Sequence, residues 1–512
     1  MKLMCKKLIS SLTVSLLLVA LPCLASDNPA NQKTDEQTRV ILDFLKKVNQ
    51  IPRCSKNEGA IGQWIIKWAK DKGYATQKDE SGNILVNIPA TPGYEKAPII
   101  VLQGHLDMVC EKTPDSAHDF SSDPIELVYD GEWIKADKTT LGADNGIGVA
   151  TALAIDNSKA HPPLEVLFTV DEESGLTGAN ALKPEFLKGK IYINIDSEGE
   201  GVITVGSAGG KVSVLTLPLT SKTLPQGFIP CKIHVHKLSG GHSGVDISEN
   251  RANANKVLAK ALDAAAGLSD VRLISIKGGT RSNAIPRDAE AVIAVKSEDA
   301  EKVKKGVDEF TKKIKKEFAS TDKTFTIDFT MPDEKAGSAY TRKDTDKTVK
   351  LLLALPNGVY GMSDDFEGLV ETSNNIGVVK IEKDVLAIKS LQRGSIPLSL
   401  EKLTKKIEET AVKIGAKPDM VFEFSGWEPN MKSALLQRGK TVYKSVFNKE
   451  AKVHAVHGGL ECSVIGKIFP GMDMIAIGPT IENAHSPDER LHVPSVTRFW
   501  KFLTAILESY KP

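Results

Sequence analysis

Five short groups of residues could do chemistry. Gly104-His105-Leu106-Asp107 sets an imidazole two residues from a carboxylate, and Leu141-Gly142-Ala143-Asp144-Asn145-Gly146 places an acid among small residues. Asp171-Glu172-Glu173 puts three acids in a row, Asp196 follows a short apolar run, and His485 stands in the loop Ala484-His485-Ser486-Pro487. Imidazole nitrogen and carboxylate oxygen are donors that zinc accepts, and a catalytic zinc keeps a position open for water. Two such ions about 3.5–4 Å apart can share one carboxylate and clamp a hydroxide between them. Five protein donors, one bridging, fill such a site, and a sixth carboxylate that binds no metal can serve as general base. Singly, each group has an ordinary explanation: His-x-Asp is common, paired glutamates are usually solvated, and Asp144 could cap a helix. Their joint order and their place at strand ends favour a metal site.

Those positions demand a scaffold. Ile99 to Leu102, Leu164 to Val170, Ile191 to Ile195 and Met474 to Ile477 read as short, apolar strands. They run into His105, into Asp171-Glu172-Glu173, into Asp196 and, through a loop, into His485. Ile84 to Ile88 is a further strand; Ile41, Leu42, Phe44 and Leu45 form one helical face; Gly146 to Ile155 predicts a buried helix. This alternation implies a mostly parallel sheet with helices on both faces, in which ligands gather at the carboxyl ends of the strands.

After Gly209-Gly210 the texture changes. Ile233 and Val235 alternate with His234 and His236, as in a half-buried strand. Asn253 to Ala266 reads as a helix, Val271 to Ile276 and Ala289 to Val295 as strands, and Ala300 to Phe318 as a charged surface helix. That order suits an antiparallel sheet with helices on one face. Ser282-Asn283-Ala284-Ile285 is echoed by Ser373-Asn374-Asn375-Ile376, which points to two related halves within one insert, and near Leu400 the α/β texture resumes.

A chain of 512 residues predicts more than one unit. Its 41% hydrophobic and 26% charged residues fit a folded enzyme rather than a disordered chain. The net charge of +1, without a basic block, leaves no nucleic-acid partner to expect. At the N-terminus Lys2, Lys6 and Lys7 precede the apolar run Leu8 to Leu21 and then Pro22-Cys23-Leu24-Ala25, the pattern of a secretory signal peptide. The run is shorter than the ~20 residues of a membrane span. The expectation is a signal peptide over 1–25 and an exported chain, periplasmic or secreted, with no stable membrane insertion after processing. Such a chain keeps Cys54, Cys110, Cys231 and Cys462, as disulfides or as buried thiols.

Taken together, the five groups, with Asn194-Ile195-Asp196-Ser197-Glu198 and Ala484-His485-Ser486-Pro487-Asp488-Glu489, resemble the motifs of the peptidase M20 family. Gly240-Gly241-His242-Ser243-Gly244, Asn283-Ala284-Ile285-Pro286-Arg287 and His457-Gly458-Gly459-Leu460-Glu461-Cys462 are similar to its aminoacyl-histidine (Xaa-His) dipeptidase branch. The resemblance spans essentially the whole mature chain. It implies two zinc ions, with cobalt or manganese as substitutes. His105, Asp144 and Asp196 would hold one ion; Asp144, Glu173 and His485 would hold the other, with Asp144 bridging. Asp107 would orient His105, and Glu172 would be the general base. His242 would stabilise the oxyanion, while Asn283, Arg393 and the backbone around Gly459 would hold the substrate carboxylate.

The fold implied is α/β: a di-metal peptidase catalytic domain, residues 26–208 and 401–512, interrupted by an α+β lid domain, 209–400. Closing the lid would complete the site and expel water. The function implied is a metal-dependent dipeptidase that hydrolyses short unblocked peptides such as Xaa-His through a metal-bridging hydroxide. Two other readings stay open. One is an N-acyl-amino-acid deacylase or carboxypeptidase of the same family, and the other is a non-catalytic peptide- or zinc-binding protein, against which Glu172 argues. The expected partner is a small peptide; the oligomeric state is open, a homodimer among the alternatives. His118, His161, His234, His236, His454 and His492 are expected on surfaces or in structural hydrogen bonds.

Overall fold

Neighbouring side chains along a strand point to opposite faces, and in the central strands both faces are apolar. Ile84, Val86 and Ile88 of Ile84–Ile88, with Ile100 and Leu102 of Ile100–His105, enter one core with the helices Glu36–Asn49, Ala143–Leu153 and Val493–Glu508. Leu85 and Val101 enter a second core with Cys462 and Ile465 of the helix Glu461–Ile468. The sheet is therefore covered on both sides. The structure is a computed structural model that describes residues 35–332 and 337–512, so the segment 1–25 lies outside the described residues.

The sheet has eight strands, in the order Ala75–Lys78, Ile84–Ile88, Leu164–Thr169, Ile100–His105, Ile191–Asn194, Asp473–Ala476, Val202–Ser207 and Lys452–Val456. The four strands from Leu164–Thr169 to Asp473–Ala476 pair in parallel, which brings their carboxyl ends to one edge.

A second sheet has nine strands. One face of it carries the helices Ala254–Ala266, Ala300–Glu317, Arg342–Ala354 and Pro397–Ile414, whose Leu258, Val303, Leu352 and Leu403 share its core. The two echoed segments meet here: the Asn375 side-chain amide donates to the carbonyls of Ser282 and Ala284, both at 2.8 Å.

The second sheet extends past Leu400. Lys417–Phe424 pairs antiparallel with Gly209–Pro218, and Leu403, Ile407 and Ala411 pack into the lid core. Residues 401–424, expected in the catalytic segment, therefore join the lid sheet. An apolar stripe at helical spacing does not say which sheet it covers, so the sequence could not place them. The chain crosses between the sheets at two adjacent points. Ser207 and Trp427 exchange backbone hydrogen bonds of 2.9 Å each. Gly209 is required beside them, because a Cβ there would lie 2.5 Å from the Gly426 nitrogen.

Cys54 and Cys110 form a disulfide, whereas Cys231 and Cys462 are free and buried. Among the described residues no helix is long and apolar enough to cross a membrane.

Candidate metal centre

The parallel strands deliver their donors to one place. His105 is the last residue of Ile100–His105, and its Nε2 lies 3.1 Å from Asp144 Oδ1 and 3.3 Å from Asp196 Oδ1. His485 Nε2 lies 3.0 Å from Asp144 Oδ2 and 3.0 Å from Glu173 Oε1. The two triads, His105 with Asp144 and Asp196, and His485 with Asp144 and Glu173, each bring one donor atom per residue to within 4.8 Å of the others. Asp144 belongs to both and turns a different oxygen to each. His485, with 49% of its side chain exposed, marks the open side.

The neighbours Glu172 and Glu173 part company because the turn that carries them is held from below. Asp171 takes a left-handed φ of 52°, and its carboxylate accepts from Ser174 and Thr177. Asp107 Oδ1 accepts the Glu172 amide at 3.0 Å, and Oδ2 accepts the Glu173 amide at 3.2 Å and the Ser55 hydroxyl at 2.8 Å. Asp107 Oδ1 is also 3.3 Å from His105 Nδ1, so one carboxylate fixes both the imidazole and the acidic turn.

Two buried side chains, neither assigned a role from the sequence, hold the Asp144 loop by its backbone. Arg53, 1% exposed, donates to the carbonyls of Leu106, Asp107 and Gly142. Glu489, also 1% exposed, accepts the amides of Leu141 and Gly142 on Oε2 and of Asp144 on Oε1, at 2.8, 2.9 and 3.1 Å. Burial pushes the Glu489 carboxyl up to about 7 and the Arg53 guanidinium down to about 10. Glu489→Gln presents one carbonyl oxygen where two oxygens now accept, and its NH₂ faces a buried N–H. The expected result is a metal affinity lower by roughly 10–100-fold, the usual cost of losing support behind a ligand, measured by competition with a chelator of known affinity.

The electrostatics fit a cation. Asp107, Asp144, Glu172, Glu173 and Asp196 crowd together, with buried Glu461 and Glu489 near them and Glu198 at the exposed rim. Burial and mutual repulsion push Glu172 and Asp196 well above the carboxylate range, and raise Glu198 to about 7. His105 and His485 lose to burial but gain more from the facing carboxylates, so both are raised, His485 to about 11. Glu173 Oε1 and Asp196 Oδ1 are buried and, although they lie 3.0 and 3.3 Å from the Nε2 atoms of His485 and His105, make no hydrogen bond of proper geometry. Unpaired polar atoms of that kind call for a ligand or ion, and imidazole with carboxylate is a donor set for one.

The lid contributes a second cluster. Arg393 is 5% exposed, with one terminal nitrogen 3.4 Å from His242 Nε2 and its guanidinium 5.7 Å from the centre of the Phe424 ring. Its Nε has no partner, and burial lowers its pKa to about 10. His242 Nδ1 lies 3.3 Å from the amide nitrogens of Gly244 and Val245, and its Nε2 faces the Arg393 guanidinium, which can only donate. Burial and Arg393 hold His242 at about 4, and His457, whose Nε2 meets Ser373 Oγ at 2.7 Å, at about 3. Gly459 follows His457 in the loop that faces Phe424. Asn283 is exposed; its carbonyl accepts the Ser243 amide on the strand pair that also carries His242.

Comparison with known proteins gives this geometry a family. Residues 227–322 match the M20 peptidase dimerisation domain. The chain is 41% identical over 471 residues to the cytosol non-specific dipeptidase of Escherichia coli, an alignment that covers 91% of this chain and 97% of that one. The chain belongs to the peptidase M20 family. The crystal structure of the aminoacylhistidine dipeptidase of Vibrio alginolyticus superposes with a TM-score of 0.81 at 37% identity, covering 93% of this chain and 98% of that one. An aminopeptidase of Bacillus cereus shares the fold at a TM-score of 0.53 and 18% identity.

As an M20 peptidase the chain is a metallopeptidase, and its donors suit the two metal ions such di-metal peptidases use. The expectation of export is overturned. The E. coli relative, 41% identical across nearly all of both chains, is a cytosol enzyme. A basic-then-apolar N-terminal pattern is a signal of composition alone, and it yields to a likeness of that extent.

Proposed function

We propose that the chain is a dipeptidase acting on short unblocked peptides, Xaa-His among them, with zinc as the metal pair and cobalt or manganese as substitutes. The observation that carries this reading is Arg393, a buried guanidinium without a carboxylate partner, next to His242 on the lid. A planar guanidinium matches a carboxylate, and a peptide's C-terminus supplies one. The Escherichia coli and Vibrio alginolyticus relatives named above are both dipeptidases.

In this reading His105, Asp144 and Asp196 hold one ion and Asp144, Glu173 and His485 the other. When bound, the ions supply Lewis acidity for the scissile carbonyl and a water acidic enough to attack it. Asp107 keeps His105 turned by its Nδ1. Glu172 takes the proton of the attacking water on its carboxylate and returns it to the leaving nitrogen. His242 stabilises the oxygen that gains charge. Arg393, Asn283 and the Gly459 backbone hold the terminal carboxylate. That clamp sets the distance to the chain's end and leaves room for about one residue beyond the cut. The acidic cluster favours a free amine on the other side.

The test compares kcat/KM for a dipeptide, its C-terminal amide, its N-acetyl form and a pentapeptide. The free dipeptide is expected to lead. Equal rates on all four would remove the clamp, and preference for the N-acetyl form would make the protein a deacylase. Arg393→Ala is expected to raise KM for the free dipeptide by roughly 10–100-fold, the worth of a charged hydrogen bond, and to change KM for the amide far less.

A further inference from the structure

We infer that the lid carries a separate binding site for one divalent first-row transition ion, zinc by its donors, formed by His234, His236 and Asp328 with Asp288 beside them. The strand Phe228–His236 buries Cys231, Ile233 and Val235 under the helices. Its two-residue period turns His234 and His236 to the outer face. Their rings stack with centroids 4.4 Å apart and planes 10° apart. The neighbouring strand Thr326–Thr330 sets Asp328 directly opposite His234, and Asp328 Oδ2 lies 2.8 Å from His236 Nε2. On the other side Asp288 Oδ2 lies 2.9 Å from His234 Nε2. One donor atom from each of His234, His236 and Asp328 falls within 4.8 Å of the others.

Two imidazoles and one carboxylate, with Asp288 or water as the fourth donor, make a tetrahedral zinc set. Copper and nickel accept the same donors. Asp288 and Asp328 bring two carboxylates to the two imidazoles. Lys232, on the same outer face, is paired with Glu290 at 2.5 Å, and Lys277 meets the same carboxylate at 3.1 Å. The site is distinct from the catalytic cluster. Three strands, Ala289–Lys296, Arg272–Gly278 and Val370–Glu382, separate Phe228–His236 from Val385–Gly394, which carries Arg393. An ion here ties Thr326–Thr330, the edge strand, to its neighbour.

The experiment counts zinc by equilibrium dialysis of the full chain, with and without His234→Gln and His236→Gln together, in the wild-type and Asp144→Asn backgrounds. One equivalent fewer is expected from the double variant in both backgrounds, with dipeptidase activity unchanged in the first. Zinc should also raise the Tm of Asp144→Asn more than that of the same chain carrying the double variant. Asp328→Asn, a single exposed substitution, repeats the count should the double variant misfold. Equal zinc content with and without the lid substitutions overturns the site and leaves two hydrogen-bonded surface pairs. Failure of the catalytic reading registers separately, as Asp144→Asn retaining the full wild-type count.

Discussion

Glu172→Gln is expected to leave the chain folded and metal-loaded while kcat falls by roughly 10²–10⁴-fold or more. The amide has the shape of the carboxylate, but it cannot take a proton from water and hand it on. Glu173→Gln is expected to do the reverse and weaken the metal site itself. The contrast is sharp because the two residues are neighbours. Asp107 holds both amides, yet only Glu173 meets His485, at 3.0 Å. Metal analysis beside steady-state kinetics reads both variants. Loss of metal in Glu172→Gln, with metal kept in Glu173→Gln, would exchange the two roles.

What the sequence made legible was local. His105 at the end of its strand and Asp196 after Ile191–Asn194 are readable because an apolar run that stops at a polar donor is a short-range pattern. The parallel sheet and the helices on one face of the lid follow from the same kind of signal. The supports of the site were not legible. Arg53 reaches the Asp144 loop from 89 residues away and Glu489 from 347. A buried arginine bonded to carbonyls looks, in sequence, like any arginine. The pairing of Cys54 with Cys110, across 56 residues, carries no local mark either. Residues 401–424 went to the wrong sheet because a helix stripe shows burial and not its partner. His234 and His236, expected on surfaces or in structural hydrogen bonds, do form such bonds, but nothing in their own strand announces their partners Asp288 and Asp328.

The shared position of Asp144 makes the second large effect. Relative to wild type, Asp144→Asn is expected to lose two zinc equivalents, and dipeptidase activity should fall to background. Asp196→Asn and Glu173→Gln should each lose one. The difference follows from geometry. Asp144 Oδ1 stands 3.1 Å from His105 and Oδ2 3.0 Å from His485, whereas Asp196 meets only the first imidazole and Glu173 only the second. An amide keeps one oxygen acceptor, but it loses the charge that a bridging ligand brings to two cations. The Glu489 grip on the Asp144 amide would persist in the variant, so a fold change is not needed to explain the loss. Elemental analysis after dialysis, together with far-ultraviolet circular dichroism, separates the outcomes. If Asp144→Asn gives up a single equivalent, the two triads are independent sites and the bridge is wrong. If it gives up two and remains folded, the bridging carboxylate is what makes the donors one centre.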